Sequence, residues 1–433
     1  MEVARIIGGR ELHGEVWVSG SKNACLPILV ACLLTEEECI IENVPNLSDI
    51  RLILDILRNV GVNIEYIDTH TLKVCAAAIN PHAPYDAVKK MRASVCLMGA
   101  FLGRIGRSSV SLPGGCIIGQ RPIDLHIKGF KKLGCTVEMK NGYLEVDGSN
   151  MVGSRIFLGG RYGSTVTGTA NVLMAALGAQ GVTIIESAAY EPEIVDLCLF
   201  LRRQGAIIGG IGTSMLTIEG RHKLHGCRYR VIGDRVEAGT FICAALMTRG
   251  RITIRGNAQN VSSAVYDKLE EIGADVRELE DGTIVADGTK QNLRSTEIIT
   301  LPYPGFPTDL QAQFCALLSC VDGISVVSER IYPTRFMHIP ELNRMGASIM
   351  LEESHAIIHG SSSRKLTGAQ LMASDLRASA ALYLAGLCAE NETLIHRIYH
   401  LDRGYENFDE KLRSLGANIE RTTETDLERC ELN

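Results

Sequence analysis

Six glycines return at a nearly fixed interval along this 433-residue chain: Gly61, Gly134, Gly205, Gly273, Gly346 and Gly416, separated by 73, 71, 68, 73 and 70 residues. Each closes an apolar, helix-like stretch. Each is followed by a small or β-branched residue (Val62, Cys135, Ala206, Ala274, Ala347, Ala417) and then a polar, strand-like run. A period held through the whole chain marks one supersecondary unit used six times, and such units bury their apolar faces against one another. Glycine belongs at a helix end because the residue after the cap often turns left-handed, which costs glycine no Cβ clash. The repeat therefore implies an α/β chain in which helices and strands alternate.

Each unit opens on residues suited to start a helix: Ser21-Lys22-Asn23, Arg92-Ala93-Ser94, Gly163-Ser164-Thr165, Asp234-Arg235, Pro307-Thr308-Asp309 and Asp375-Leu376-Arg377. Side-chain oxygens of Ser, Thr and Asp accept the backbone N–H groups left open at a helix start. A β-branched run follows the first helix, most plainly at residues 182–185 and 251–255. A second helix then runs to the glycine, and a hairpin closes the unit. In the fourth unit the hairpin joins residues 274–276 to 283–285 through a turn at Asp281-Gly282.

A chain of this length predicts two or three domains, and six units divide into two lobes of three. With 46% hydrophobic and 22% charged residues, the composition is that of an ordinary globular protein. The apolar stretches 24–34 and 378–389 are too short to span a bilayer, and Gly, Thr, Ser, Asn and Gln interrupt 163–185. Residues 24–34 lack the basic flank and cleavage site of a signal peptide, so no membrane insertion is expected. Fourteen cysteines without a CxxC pair imply reduced thiols in a cytoplasmic setting, with neither a disulfide frame nor a metal site. Thirteen of them read as small buried hydrophobes. The charged tail 422–433 is expected to fray. A net charge of −6 argues against nucleic acid as a partner.

A small anion remains possible. Lys22, Arg92, Arg235 and Arg377 stand at or near helix starts. A cation there opposes the helix dipole, so several together point to an anion supplied from outside, such as a phosphate group. The alternative is that each is a solvated surface charge. A second signal lies between Ser111 and His126, where Pro113, Gly114, Gly115 and Gly119 imply a mobile loop of the size used for lids. Cys116 sits near its tip, five residues before Arg121. A thiol beside a cation and free backbone amides is partly activated.

Taken together, Ser21-Lys22-Asn23, the Cys116 loop through Arg121-Pro122, Phe306-Pro307-Thr308-Asp309, residues 375–379 (Asp-Leu-Arg-Ala-Ser) and residues 401–406 (Leu-Asp-Arg-Gly-Tyr-Glu) closely resemble the UDP-N-acetylglucosamine enolpyruvyl transferases of the EPSP synthase superfamily. The likeness runs over essentially the whole chain. It implies an inside-out α/β barrel of two lobes with three βαβαββ-type units in each. It also implies two chain crossings, giving a first lobe of 22–232 with the mobile loop at 111–122, and a second of 1–21 plus 233–433. The N-terminal strand then belongs with the C-terminal lobe. Sugar-nucleotide binding would draw the lobes together and order the loop.

The implied reaction moves the carboxyvinyl group of phosphoenolpyruvate to the 3′-hydroxyl of UDP-N-acetylglucosamine and releases phosphate, with no cofactor. It is the first committed step of peptidoglycan synthesis, and hence of cell-wall biogenesis, cell shape and cell division. Phosphoenolpyruvate is a polyanion and needs charge-assisted contacts. By resemblance Lys22, Arg121 and Arg403 take its phosphate, Arg377 its carboxylate, and Asn23 lies beside it. Cys116 matches the general acid at C3, which can also attack C2, and Asp309 the carboxylate beside the 3′-hydroxyl. The catalytic set is thus Cys116, Asp309, Lys22 and Arg403. An acid and a base held in opposed protonation states suit this addition–elimination. Read without the resemblance, Asp309 is a helix cap after Phe306-Pro307-Thr308, a role compatible with the other. Asn23, Arg92, Arg121, Asp309 and Ile331 match positions touching the sugar nucleotide, and Arg121, Pro122, Ile123, Asp124 and Leu125 the segment around uracil. Two positions depart from the pattern. Ser48 replaces a common lysine, and Arg161-Tyr162 replaces Ser-Val before Gly163, so Arg161 is a candidate for the missing charge.

Three other readings compete. The related transferase acting on shikimate 3-phosphate lacks the Cys116 loop. A catalytically silent sugar-nucleotide sensor would not need Lys22, Cys116, Asp309 and Arg403. An RNA-end-processing enzyme would need a nucleophilic histidine motif that is absent here.

Overall fold

A computed structural model describes residues 2–88, 91–111, 122–256, 260–290, 292–363 and 365–426, with the side chains of Ala87 and Arg92 also outside the described set. The described strands form six open four-stranded sheets of identical design. Take the chain from residue 155. Strand Arg155–Phe157 leads through helix Val166–Ala176 to the parallel strand Val182–Glu186, pairing Arg155 with Ile184. Helix Pro192–Arg203 then leads to the hairpin Ile207–Gly209 and Met215–Glu219, whose second strand pairs antiparallel with Val182–Glu186. That is a βαβαββ unit with lateral order first, second, fourth, third. The same order recurs in the sheets built on Arg107–Ser111 and Gly323–Ser328.

The other three sheets keep the lateral order with an altered chain order. Arg228–Arg230 is the first strand beside Cys39–Glu42, although it comes last in sequence. Glu2–Ile7 is the fourth strand between Glu392–His396 and Asn418–Thr423, although it comes first. His13–Trp17 pairs parallel with Arg251–Arg255, with residues 20–232 inserted between them. The described residues accordingly divide into two compact units, one drawn from residues 1–19 and 233–433 and one from residues 20–232. Each contains three complete sheets and its own hydrophobic core. At the crossings the Asp234 N–H donates to the Ser19 carbonyl at 2.9 Å within the first unit, and the Ser21 N–H to the Ile232 carbonyl at 2.7 Å within the second.

All six repeat glycines have positive φ, between +82° and +106°. In every case the following residue's N–H reaches back five residues to a carbonyl, from Val62 to Leu57 at 3.0 Å through Ala417 to Leu412 at 3.1 Å. This is the Schellman closure, which satisfies carbonyls left open at a helix end. The residue whose carbonyl is used is always large, apolar and buried: Leu57, Phe130, Leu201, Leu269, Leu342 and Leu412. The closure thus ties each outer helix both to the turn and to the core.

The first helix of each unit is central. All residues of Arg235–Met247 and Gln311–Ser319 are buried, and both pack against Leu376–Cys388. Helices apolar on every side belong in an interior, while the strands alternate buried and exposed positions, as in Arg251–Arg255. The first helix of each unit thus lies inside its half, with the sheets and the second helices around it. Among the described residues no helix is long and apolar enough to cross a membrane.

Two expectations need correction. Of the twelve cysteines described, Cys75, Cys227, Cys320 and Cys388 are only half-buried, because they lie at strand or helix ends. The tail does not begin to fray at Thr422: Thr422 and Thr423 pair with Val3 and Glu2, since the N-terminal strand needs a partner on that side.

Candidate active site

In the unit of residues 20–232, the Ser21 hydroxyl accepts the Ala24 N–H at 3.4 Å and starts helix Lys22–Ala31. Lys22 is its first residue. The Nζ lies 3.2 Å from Oδ2 of Asp49, in the first turn of helix Ser48–Asn59, and both side chains are less than a tenth exposed. Charges this deeply buried persist only when paired. Asn23 is exposed beside it.

Asp124 opens helix Asp124–Lys132. Pro122 and Asp124 face solvent, while Ile123 and Leu125 are half-buried. The segment is fixed from below by buried His126, whose Nδ1 meets Asn171 Nδ2 at 2.9 Å and whose Nε2 lies 3.4 Å from the Thr167 hydroxyl. Both partners stand on helix Val166–Ala176. The turn Gly160–Gly163, closed by reciprocal backbone bonds of 2.8 and 3.1 Å, packs so tightly that a Cβ on Gly160 would sit 3.0 Å from Leu125 Cδ1. This turn carries Arg161, exposed, with its guanidinium 5.5 Å from the Tyr162 ring centre.

In the unit of residues 1–19 and 233–433, three of the expected helix starts converge chemically. Asp309 lies in the turn Thr308–Leu310 and does not occupy an N-cap; Pro307 and Leu310 stand at those positions. Its Oδ1 takes Arg335 Nη1 at 2.8 Å and its Oδ2 takes Arg377 Nη2 at 3.2 Å. The cap reading of Asp309 therefore gives way to a carboxylate held between two guanidinium groups. Arg377 is 1% exposed and Arg335 4%, while the Asp309 side chain keeps 25% exposure. Arg377 is the second residue of helix Leu376–Cys388, whose start is capped by Asp375, and its guanidinium lies 5.2 Å from the Tyr405 ring centre. The Tyr405 hydroxyl meets Thr240 Oγ1 at 2.8 Å and Gln313 Nε2 at 3.1 Å.

Arg335 and Arg377 share Asp309, and Asp375 and Asp234 also act on their charges. Nε and Nη1 of Arg377 are buried and meet no hydrogen-bond partner among the described residues. A buried charged donor without a partner costs about 1–3 kcal/mol or more. Burial disfavours the Arg377 cation, but Tyr405, Asp309 and Asp234 outweigh it and hold the pKa above its ordinary value. Burial likewise opposes the Arg335 charge, and Asp309 and Asp375 restore it. His338 is buried close by and pushed down to about 4 by burial, with Arg335 adding to the shift and Asp375 opposing it, so it is neutral at neutral pH.

Lys22, Arg235 and Arg377 are all less than a tenth exposed at the first or second residue of their helices. The surface-charge alternative is thereby overturned for these three. Arg403 ends the turn Ile398–Arg403 and is half-buried; Ile331 is half-buried in the segment after strand Gly323–Ser328. Cys116 and Arg121 lie outside the described residues, as does the side chain of Arg92. Arg335 was not expected from the sequence. Its only signal is an arginine followed by the apolar Phe336, away from any helix start.

Six βαβαββ units in two compact halves are the architecture of the enolpyruvyl transferases. The enolpyruvyl transferase NikO from Streptomyces tendae superposes with a TM-score of 0.88 at 25% identity, over 98% of this chain and 99% of that one. EPSP synthase from Acinetobacter baumannii shares the fold, with a TM-score of 0.76 at 19% identity over 98% and 100%. The family described as EPSP synthase (3-phosphoshikimate 1-carboxyvinyltransferase) matches residues 6–412, and the chain belongs to it. Among its relatives is a UDP-N-acetylglucosamine 1-carboxyvinyltransferase of Methylacidiphilum infernorum, 52% identical over 97% of this chain and 99% of that protein. Proteins of the same name from Dichelobacter nodosus and Akkermansia muciniphila are 48% and 47% identical, each over 98% of this chain and 100% of the relative.

Proposed function

We propose that this protein transfers the carboxyvinyl group of phosphoenolpyruvate to the 3′-hydroxyl of UDP-N-acetylglucosamine and releases phosphate. The observation that carries the reading is 47–52% identity, over nearly the full length of both partners, to transferases of that name. The buried arginine pair fits the chemistry independently. The enol carboxylate is a planar anion, and Arg377 offers two buried donors to it with Arg335 alongside. On this reading Lys22, Arg121 and Arg403 hold the phosphate, with Asn23 next to it. Arg92, Ile331 and the segment Arg121-Pro122-Ile123-Asp124-Leu125 hold the sugar nucleotide.

The steps balance as an addition and an elimination. Cys116 delivers a proton to C3, C2 becomes electrophilic, and the 3′-oxygen forms a bond to C2 as its own proton passes to Asp309. The Cys116 thiolate left by the first step then takes a proton from C3 while the C2–O bond to phosphate breaks, which restores the vinyl group and the thiol; the proton held by Asp309 leaves with the phosphate. A carboxylate arriving at the open Nε and Nη1 of Arg377 would sit beside Asp309, which keeps its own contacts to Nη2 of Arg377 and to Arg335. That places the enol next to the carboxylate that takes the hydroxyl proton. The product belongs to peptidoglycan synthesis, and so to cell-wall biogenesis, cell shape and division, in the cytoplasm. Neither nucleic acid nor membrane insertion enters this account.

The test is phosphate release from phosphoenolpyruvate with either acceptor. UDP-N-acetylglucosamine should support turnover and shikimate 3-phosphate should not. The reverse pattern would overturn the acceptor assignment.

A further inference from the structure

Glu329 is fully buried and makes no direct ion pair among the described residues. A carboxylate has acceptor sites on both oxygens, and here both are used. Oε1 accepts the Thr300 hydroxyl at 2.7 Å and the backbone N–H groups of Ile331 and Tyr332 at 2.8 and 2.9 Å. Oε2 accepts the Thr308 hydroxyl at 2.9 Å. With its proton committed to Glu329, the Thr308 oxygen accepts Arg335 Nη1 at 3.0 Å, the same nitrogen that holds Asp309 at 2.8 Å. One buried carboxylate therefore fixes two things: the segment carrying Ile331, through its backbone, and the turn carrying Asp309, through Thr308 and Arg335.

We propose that Glu329 is a positioning residue for the transfer reaction, setting the Ile331 segment for the sugar nucleotide and the Asp309–Arg335 pair for chemistry. The proposal rests on the reading above, in which Ile331 and Asp309 face that substrate. A charge is needed because it can accept four donors at once. Glutamine keeps the shape, yet it presents an NH₂ group where one set of donors must land, so one arm of the network loses its acceptor.

The test compares Glu329→Gln and Thr308→Val in the full-length protein by steady-state kinetics and amide hydrogen exchange. Glu329→Gln should raise the sugar-nucleotide KM about tenfold and lower kcat about tenfold or more, in a protein that still folds but melts a few degrees below the parent. Thr308→Val cuts only the Asp309 arm, so kcat should fall while the nucleotide KM stays. The double variant should lose no more kcat than Glu329→Gln alone, because Thr308 acts through Glu329. Folded Glu329→Gln with parental kcat and KM overturns the proposal. If that variant does not fold, parental kinetics in Thr308→Val do the same. Hydrogen exchange without substrate separates this from the acceptor assignment. Faster exchange at residues 330–332 in Glu329→Gln, in a protein whose parent cannot use the sugar nucleotide, leaves the positioning intact and removes the substrate reading. Unchanged exchange removes the positioning whatever the substrate.

Discussion

The Asp309 carboxylate between Arg335 and Arg377 is where residue chemistry decides most. Arg377 has one nitrogen on Asp309 and two buried nitrogens open for an incoming anion. That division needs several N–H donors spread over one planar cation. Lysine keeps the charge but offers a single point of contact. Arg377→Lys should therefore fold, since Asp309 retains Arg335, and kcat/KM for phosphoenolpyruvate should fall about a hundredfold. Sugar-nucleotide affinity should barely change. Kinetics that vary each substrate separately check this, and an unaltered kcat/KM for phosphoenolpyruvate would remove Arg377 from carboxylate binding. The recurring helix starts singled out Lys22 and Arg377, and the family likeness added Asp309 and gave all three their expected roles. It could not reach Arg335 or Glu329. Their importance comes from contacts between the segment after Gly323–Ser328 and the turn at Thr308, and no local pattern encodes a contact between distant segments.

At the level of elements, the helix ends were the most legible part of the chain. A left-handed residue must follow the cap, and glycine meets that need most cheaply, so six glycines mark six ends. The helix starts were legible where a side chain does the capping, at Ser21, Thr165, Asp234 and Asp375. At the other two, Met91 and Pro307 occupy the cap position without a side-chain cap, and the chain enters through a 3₁₀ turn. Strand order was not legible in the three sheets that borrow Glu2–Ile7, His13–Trp17 or Arg228–Arg230, because a strand's pairing partner leaves no mark in its own sequence. The glycine rule gives a direct test at Gly205, with φ +104° and its nearest foreign atom 3.5 Å from a built Cβ. With room for a methyl group, the cost of Gly205→Ala is backbone strain alone, about 1–2 kcal/mol. Urea denaturation should show a lower midpoint. A midpoint that holds or rises would mean that this helix end does not use the left-handed turn.

For the whole molecule, the insertion of residues 20–232 into the other unit explains how six similar units make two complete cores from one chain. Three units use strands from a distant part of the sequence, and each compact half closes only because they do. The family likeness made this organisation readable; the period near 70 residues gave six units but could not show which strands had been exchanged. The central claim is a transfer in which C3 of the enol gains a proton and then loses one. Running the reaction in deuterium oxide and taking the mass spectrum of the sugar-nucleotide product tests it most directly. The expected product is a carboxyvinyl sugar nucleotide with deuterium in its vinyl group, because the transient methyl group holds a solvent-derived hydrogen when elimination occurs. A carboxyvinyl product free of deuterium, or phosphate released without any such product, would contradict it.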